Sequence, residues 1–254
     1  MKFSEILKIE FMKVRRSKII PLIFIAPLLV VVSGVVNLSM YFTPEYTDVW
    51  QAMFIQSALL YSYYLLPLSM VVVCVMISNK EVQNNGILKM LSLPVRREML
   101  SVAKFCVLLF YLFMEMVVFL VVFVMAGCIA TFTSGINETL PILSLLKWCS
   151  GIFITMIPSL AVMWAVTILF EKILISVGIN LLFTIFGLLM GATPVWYLYP
   201  YCYSGYLVSC SLHKFTTNGI DSSFQMIPFL IGAILITGVA FTLFIKRFGK
   251  IAMK

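Results

Sequence analysis

Few residues in this chain could do chemistry. One acidic side chain, Glu115, sits inside a long apolar run, Phe113-Met114-Glu115-Met116-Val117. A charge at the centre of a bilayer costs about 2.5–3.5 kcal/mol on insertion scales, so this carboxyl must face a bundle interior, carry a proton or find a partner. Tyr63, Tyr64 and Ser69 lie at similar depth in the preceding apolar run and are its expected partners. Two roles stay open: a polar point in a transport path or gate, and a neutral carboxyl hydrogen-bonded between helices. The single histidine, His213, excludes sites built on two imidazoles, H-E-x-x-H chemistry included. No second intramembrane carboxylate exists for an aspartyl mechanism, and no intramembrane histidine for a Ser-His dyad.

The six cysteines, Cys74, Cys106, Cys128, Cys149, Cys202 and Cys210, form no C-x-x-C pair and read mostly as small apolar fillers, with a pairing of Cys202 and Cys210 left open. No G-x-x-x-x-G-K-[ST] loop is present, and such a loop, with its backbone amides, is the usual cradle for nucleotide phosphates in transport ATPases. No catalytic, cofactor-binding or metal-ligating residue is assigned, and any ATP hydrolysis is expected in another chain.

The elements that must position these residues are membrane helices. The chain has 254 residues, 62% of them hydrophobic and 11% charged, with a mean hydropathy of +1.08. A soluble domain is about 45–50% apolar and about 25% charged, so that class is excluded. Crossing about 30 Å of hydrocarbon takes about 20 apolar residues. Six stretches qualify: Ile19 to Met40, Ala52 to Ile77, Phe105 to Ile129, Trp148 to Phe170, Ile173 to Ala192 and Met226 to Ile245. Only Glu171 and Lys172 separate the fourth from the fifth, which predicts a tight turn. The first follows basic residues as a secretory signal does, but it lacks a small-residue cleavage site and five more runs follow, so it reads as a retained span. Pro27, Pro67 and Pro158 fall inside spans, where each removes a helical hydrogen bond and favours a kink. Gly187 and Gly191, in G-L-L-M-G, allow close helix approach, either within the chain or against a second subunit.

The formal charge is +8. Lys2, Lys8, Lys13, Arg15, Arg16 and Lys18 precede the first span. Lys80, Lys89, Arg96, Arg97 and Lys104 lie between the second and third, and Lys172, Lys246, Arg247, Lys250 and Lys254 fall on the same side, which leaves only Lys147 and Lys214 opposite. Retention of basic flanks on the inner side puts both termini in the cytoplasm. Topology thus explains the charge, and nucleic acid is not an expected partner.

Residues 1–18 carry Phe3, Leu7, Phe11 and Val14 at helical spacing among charges, which predicts an amphipathic helix on the membrane surface. The outer stretch from Thr193 to Gln225 is too polar to span and is dense in aromatics: Trp196, Tyr197, Tyr199, Tyr201, Tyr203 and Tyr206. Such residues favour the water–lipid boundary. The segment reads as an aromatic belt or re-entrant element, or as an outer surface that meets an amphipathic peptide.

Between Ser78 and Lys104, the residues Ile87, Leu88, Met90, Leu91 and Leu93 make a short apolar stretch, Gly86 permits a bend and Pro94 stops a helix. Such a helix either docks in a partner's groove or rests on the membrane. Here the chain resembles permease subunits of the ABC-2 type of ATP-binding-cassette transporter. Glu81, Gly86, Lys89, Leu91, Pro94 and Arg96, followed by Lys104, match that family's E-x-x-x-x-G-x-x-K-x-L-x-x-P-x-R pattern with its trailing lysine. The acidic-then-basic run Glu10-Phe11-Met12-Lys13-Val14-Arg15-Arg16-Ser17 matches its N-terminal helix.

The resemblance implies an all-α integral membrane fold of six spans, with an interfacial N-terminal helix, a cytoplasmic coupling helix between spans two and three, and an outer segment between spans five and six. It implies an ATPase partner in two copies, which holds ATP and Mg and meets Glu10, Lys13, Arg15, Arg16 and the stretch from Glu81 through Arg96 and Arg97. It also implies a second permease subunit, identical or paralogous, in a bacterial cytoplasmic membrane among its lipids. Chain size and the Lys-Val-Arg-Arg-Ser run resemble small permeases that protect bacteria against lantibiotics, which implies an amphipathic peptide cargo. Bacitracin-type, multidrug or lipid export is the sister reading, and a non-transporting scaffold or sensor the remaining class. With native cysteines replaced, a thiol in Lys147→Cys is expected to react with a membrane-impermeant maleimide in intact cells, and one in Lys250→Cys only after permeabilisation; the reverse pattern overturns the orientation.

Overall fold

The computed structural model describes residues 3–15, 19–36, 49–83, 97–134, 139–170, 172–215 and 224–251. Hydrocarbon offers no hydrogen bonds, so an apolar run must satisfy its backbone within itself. Among the described residues every regular element is helical. A surface helix α1 (Phe3–Arg15) precedes an apolar α2 (Ile19–Val36). Next come α3 (Val49–Leu60) and α4 (Leu66–Gln83), joined without a break by a π-helical turn over Tyr61–Leu65. Helix α5 (Arg97–Ser134) is followed by α6 (Ile142–Leu169) and α7 (Ile173–Gly191). Two 3-10 turns, Trp196–Leu198 and Pro200–Cys202, lead into α8 (Tyr203–Phe215), and α9 (Met226–Ile251) ends the described chain.

Among the described residues five helices are long and apolar enough to cross a membrane: Val49–Asn79, Met99–Phe132, Ile142–Leu169, Ile173–Gly191 and Met226–Lys246. The chain is thus a multi-pass membrane protein. The first expected span is represented by α2, 18 residues long, and the remainder of that stretch lies outside the described residues. The helices of spans two and three, α3–α4 and α5, extend past the apolar runs of 52–77 and 105–129, because the hydrogen-bond ladder continues into the polar flanks. The tight turn after α6 is present, with Ile173 beginning the next helix four residues past Leu169.

Pro67 lacks an N–H, and its ring crowds the carbonyl four residues earlier. The widened turn over Tyr61–Leu65 stands in that place, so the expected irregularity in span two takes the form of a π-turn. Around it runs an aromatic ladder against α5. Tyr61 stacks on Phe119 with ring centroids 4.4 Å apart, and Phe54 meets Phe123 edge-on at 5.3 Å. Helix α5 is the hub of the bundle, since α1, α2, α6 and α9 all pack on it. Its 38 residues make a rod of about 57 Å at about 1.5 Å per residue, far beyond the hydrocarbon thickness, which lets its first turns meet α1.

Helix α7 buries one narrow stripe: Ser176, Asn180, Thr184, Gly187 and Gly191. Its other faces are apolar and open, with Leu174 at 85% exposure. That inverts a soluble helix and suits lipid, where small and polar residues let helices associate. A Cβ at Gly187 would lie 3.1 Å from the Tyr201 carbonyl oxygen, and one at Gly191 3.0 Å from the Tyr63 hydroxyl. The Gly-x-x-x-Gly face is therefore filled by the chain's own residues, with no room for a second subunit. Cys202 and Cys210 are both buried and no disulfide joins them; the Cys202 thiol donates to the Tyr199 carbonyl at 3.0 Å instead.

A Cβ on Gly232 would collide with the backbone carbonyl of Tyr197, whereas one on Gly238 would meet open space. Backbone cannot step aside as a side chain can, so Gly232→Ala is expected to cost about 1–3 kcal/mol. Gly238→Ala should leave stability level or raise it by about 0.4–1 kcal/mol. Thermal midpoints of the two purified variants check this, and equal midpoints would reject the packing.

Candidate functional site

The site begins on α1. Its buried face is Ile6, Glu10 and Val14, spaced by four. The expected stripe of Phe3, Leu7, Phe11 and Val14 is thus rotated: Phe3 is exposed, Leu7 and Phe11 are half-buried, and a carboxylate sits at the centre of the contact with α5. Burial of that charge is possible because Lys104 of α5 meets it. Glu10 Oε2 lies 2.7 Å from Lys104 Nζ, with the two side chains 2% and 1% exposed. The other oxygen, Oε1, takes Lys13 Nζ at 2.8 Å. Burial alone pushes the Glu10 carboxyl up, but the charges and hydrogen bonds of Lys104 and Lys13 together outweigh it and hold the group below its ordinary value of 4.5. Glu10 therefore stays ionised at neutral pH.

Two predicted contacts of the partner ATPase, Glu10 and Lys13, are thus engaged inside the chain, and Lys104 acquires a partner that sequence pattern did not supply. Arg15 closes α1, Glu81 lies in the last turn of α4, and Arg97 opens α5. Arg16, Gly86, Lys89, Leu91, Pro94 and Arg96 lie outside the described residues, as does the expected coupling helix.

Eleven residues beyond Lys104 on the same rod, about 16 Å along it, is Glu115, fully buried. Ser69 Oγ of α4 lies 2.6 Å from its Oε1 and 2.8 Å from the Leu66 carbonyl oxygen. A hydroxyl has one hydrogen to give. Both contacts are hydrogen bonds at once when Glu115 carries a proton and donates it to Ser69, which passes its own to Leu66. Oε2 has no hydrogen-bond partner among the described residues. The Tyr61 hydroxyl lies near this carboxyl and 4.0 Å from Met116 Sδ.

Of the three expected partners Ser69 meets the carboxyl, and Tyr63 and Tyr64 are elsewhere. The Tyr63 hydroxyl is 3.1 Å from Ser209 Oγ on α8, and its ring lies against Gly205; Tyr64 is half-buried. Depth is common to all three, and the helix face decides among them.

The outer aromatics are structural pegs. Trp196, Tyr201 and Tyr203 are buried, not displayed to a peptide, and Tyr206 stacks on Trp196 at 4.4 Å. Tyr201 donates to Asn180 Oδ1 at 2.7 Å, Tyr199 to the Phe183 carbonyl at 2.7 Å, and Tyr203 to the Tyr197 carbonyl. From the other side, Ser159 donates to the Pro200 carbonyl at 2.6 Å and Ser204 to that of Ser62 at 3.0 Å. Sequence reasoning passed over Ser159, Ser176, Asn180 and Thr184. The spacing of four within an otherwise apolar α7 was the signal that could have found the last three.

A family model described as ABC-2 family transporter protein matches residues 6–187. That range takes in Glu10, Lys104 and Glu115 and stops short of the outer aromatic segment. No curated protein and no solved structure matches the chain.

Removing one member of a buried ion pair strands the other, at about 3–5 kcal/mol. Glu10→Gln and Lys104→Met should each lower the thermal midpoint, and the double variant should lose less than their sum; strict additivity would reject the pair. Because the folded Glu10 carboxyl is held below 4.5, its stabilisation is complete above that pH and is lost as pH falls through the lower folded value. Wild type should therefore lose stability on acidification below about 4.5 by a component absent from Glu10→Gln.

Proposed function

The chain belongs to the ABC-2 family of transporter proteins, and we propose that it is the permease subunit of an ATP-driven exporter which removes lantibiotic-like amphipathic peptides from a bacterial cytoplasmic membrane. The family works with a separate ABC ATPase. In this reading ATP and Mg reside in that partner, present in two copies, and a second permease subunit, identical or paralogous, completes the pathway. Six crossings then place both termini in the cytoplasm.

The observation that carries the transport reading is the buried Glu10–Lys104 pair. It ties a surface helix, accessible to a partner, to a rod that runs through the bundle. Displacement of α1 is transmitted to α5, and thence to Glu115 and its contact with Ser69 on α4. Closure of an ATPase pair against α1 and the segment after α4 would thus move a bundle with two packed arrangements from one to the other. The peptide cargo is supported by the size of the chain and its Lys13-Val14-Arg15-Arg16-Ser17 run.

In cells that supply the ATPase, Lys104→Glu is expected to abolish protection against a lantibiotic, and adding Glu10→Lys to restore part of it by reversing the pair. Protection undiminished in Lys104→Glu would reject the coupling route. A wild-type strain protected against bacitracin or a lipophilic drug, and not against the peptide, would reject the cargo and leave the transporter standing.

A further inference from the structure

A groove of about 530 Å³ opens between α1, α2 and α5. That volume lies in the range of ligand sites, about 300–1,000 Å³. Its walls are apolar, formed by residues such as Met12, Ile20, Phe24, Phe110 and Met114, and among the described residues its one charged lining side chain is Lys8. Met12, Ile20, Phe24 and Phe110 are also exposed on the side of the bundle, so the groove opens sideways, where a membrane protein meets acyl chains. Spacing along α1 explains the geometry. Lys8, Phe11 and Met12 share one face at i, i+3 and i+4, while Ile6, Glu10 and Val14 form the adjacent face packed on α5. Phe11, edge-on to Phe110 at 4.9 Å, separates the groove from the Glu10–Lys104 pair. The buried carboxylate nearest to Lys8 is thereby turned away from the groove and already takes two ammonium groups.

We propose that this groove binds a phospholipid of the leaflet on which α1 lies, with an acyl chain between α2 and α5 and a net-negative phosphate headgroup on Lys8. A lysine lays its stem along apolar surface and keeps its ammonium at the interface, at phosphate level. Basic pockets between spans select anionic headgroups, because a zwitterionic headgroup carries its own cation. A cationic peptide meets repulsion at the same rim. The site is independent of the exported cargo and of ATP, and its test uses the purified full-length chain alone, so its failure is separate from that of the transport reading.

The test is native mass spectrometry of the chain released from detergent after exposure to an equal mixture of phosphatidylglycerol and phosphatidylcholine. Wild type should retain phosphatidylglycerol in preference. Lys8→Ala should lower that retention about fivefold, the share of one cation near an anionic surface, and Lys8→Arg should keep it. Met114→Trp, which fills the groove, should lower retention of both lipids. Ile20→Trp at the exposed mouth should do the same, and it serves if Met114→Trp does not fold. Equal retention of the two lipids, unchanged by Lys8→Ala, overturns the headgroup assignment. Retention unchanged by either tryptophan overturns the groove. Loss of a dimer in the tryptophan variants with lipid retention unchanged would show that a second copy covers the groove, and overturns the proposal.

Discussion

Between α1 and α5, a carboxylate and an ammonium with almost no access to water lie 2.7 Å apart. Desolvating each ion costs several kcal/mol, and the attraction repays this only in good geometry with the remaining hydrogen bonds filled. Lys13 fills the second carboxylate oxygen. Such a pair is a poor source of net stability and a strong source of specificity, because every arrangement that separates the two leaves a buried charge exposed to nothing. It fixes the rotation of α1 about its own axis, and hence which residues face the hub and which face the groove beside it.

Elsewhere the bundle is ordered by small and polar residues. Lipid tails are as apolar as leucine, so hydrophobicity cannot choose which face of a helix turns inward. On α7 the choice is made by Ser176, Asn180, Thr184, Gly187 and Gly191, with Tyr201 and Tyr63 seated against the glycines and Tyr201 bonded to Asn180. The outer aromatic segment is held by the same means, through hydroxyl-to-carbonyl bonds that reach α6, α7 and the π-turn. This differs from α5, where large aromatic rings pack edge-on against α3 and stack on the π-turn.

Much of the architecture was readable from hydropathy, because in a bilayer an uninterrupted apolar run has no alternative to a helix. Faces were less readable. Glu115 was marked out by its depth, but its partner had to be chosen among side chains at one level. On a regular helix, at about 100° per residue, Ser62 shares the face of Ser69. With the π-turn in place the Ser62 hydroxyl donates instead to the Ala58 carbonyl, its own carbonyl accepts from Ser204, and Tyr61 comes round to the carboxyl. No local pattern around Tyr61 announces that turn beyond the proline that follows it. Glu10 and Lys104 likewise each stand out in the sequence, one in a charged run and one at the end of a motif. Their pairing across 94 positions is a tertiary fact with no periodic signature.

The π-turn also constrains the length of the chain. Because the five residues Tyr61–Leu65 hold one more residue than the hydrogen bonding of an ordinary turn requires, the two halves of this span are set to different angular registers. Excising one residue inside the turn would close it to an ordinary helical turn and keep Tyr61 and Ser69 on one face, whereas excising one between the turn and Ser69 would swing everything after it by about 100° and carry Ser69 away from Glu115. Substitutions that preserve hydropathy can drift freely along the lipid-facing surfaces, whereas insertions and deletions between the turn and Ser69 cannot. The span is thus read by counting as well as by composition.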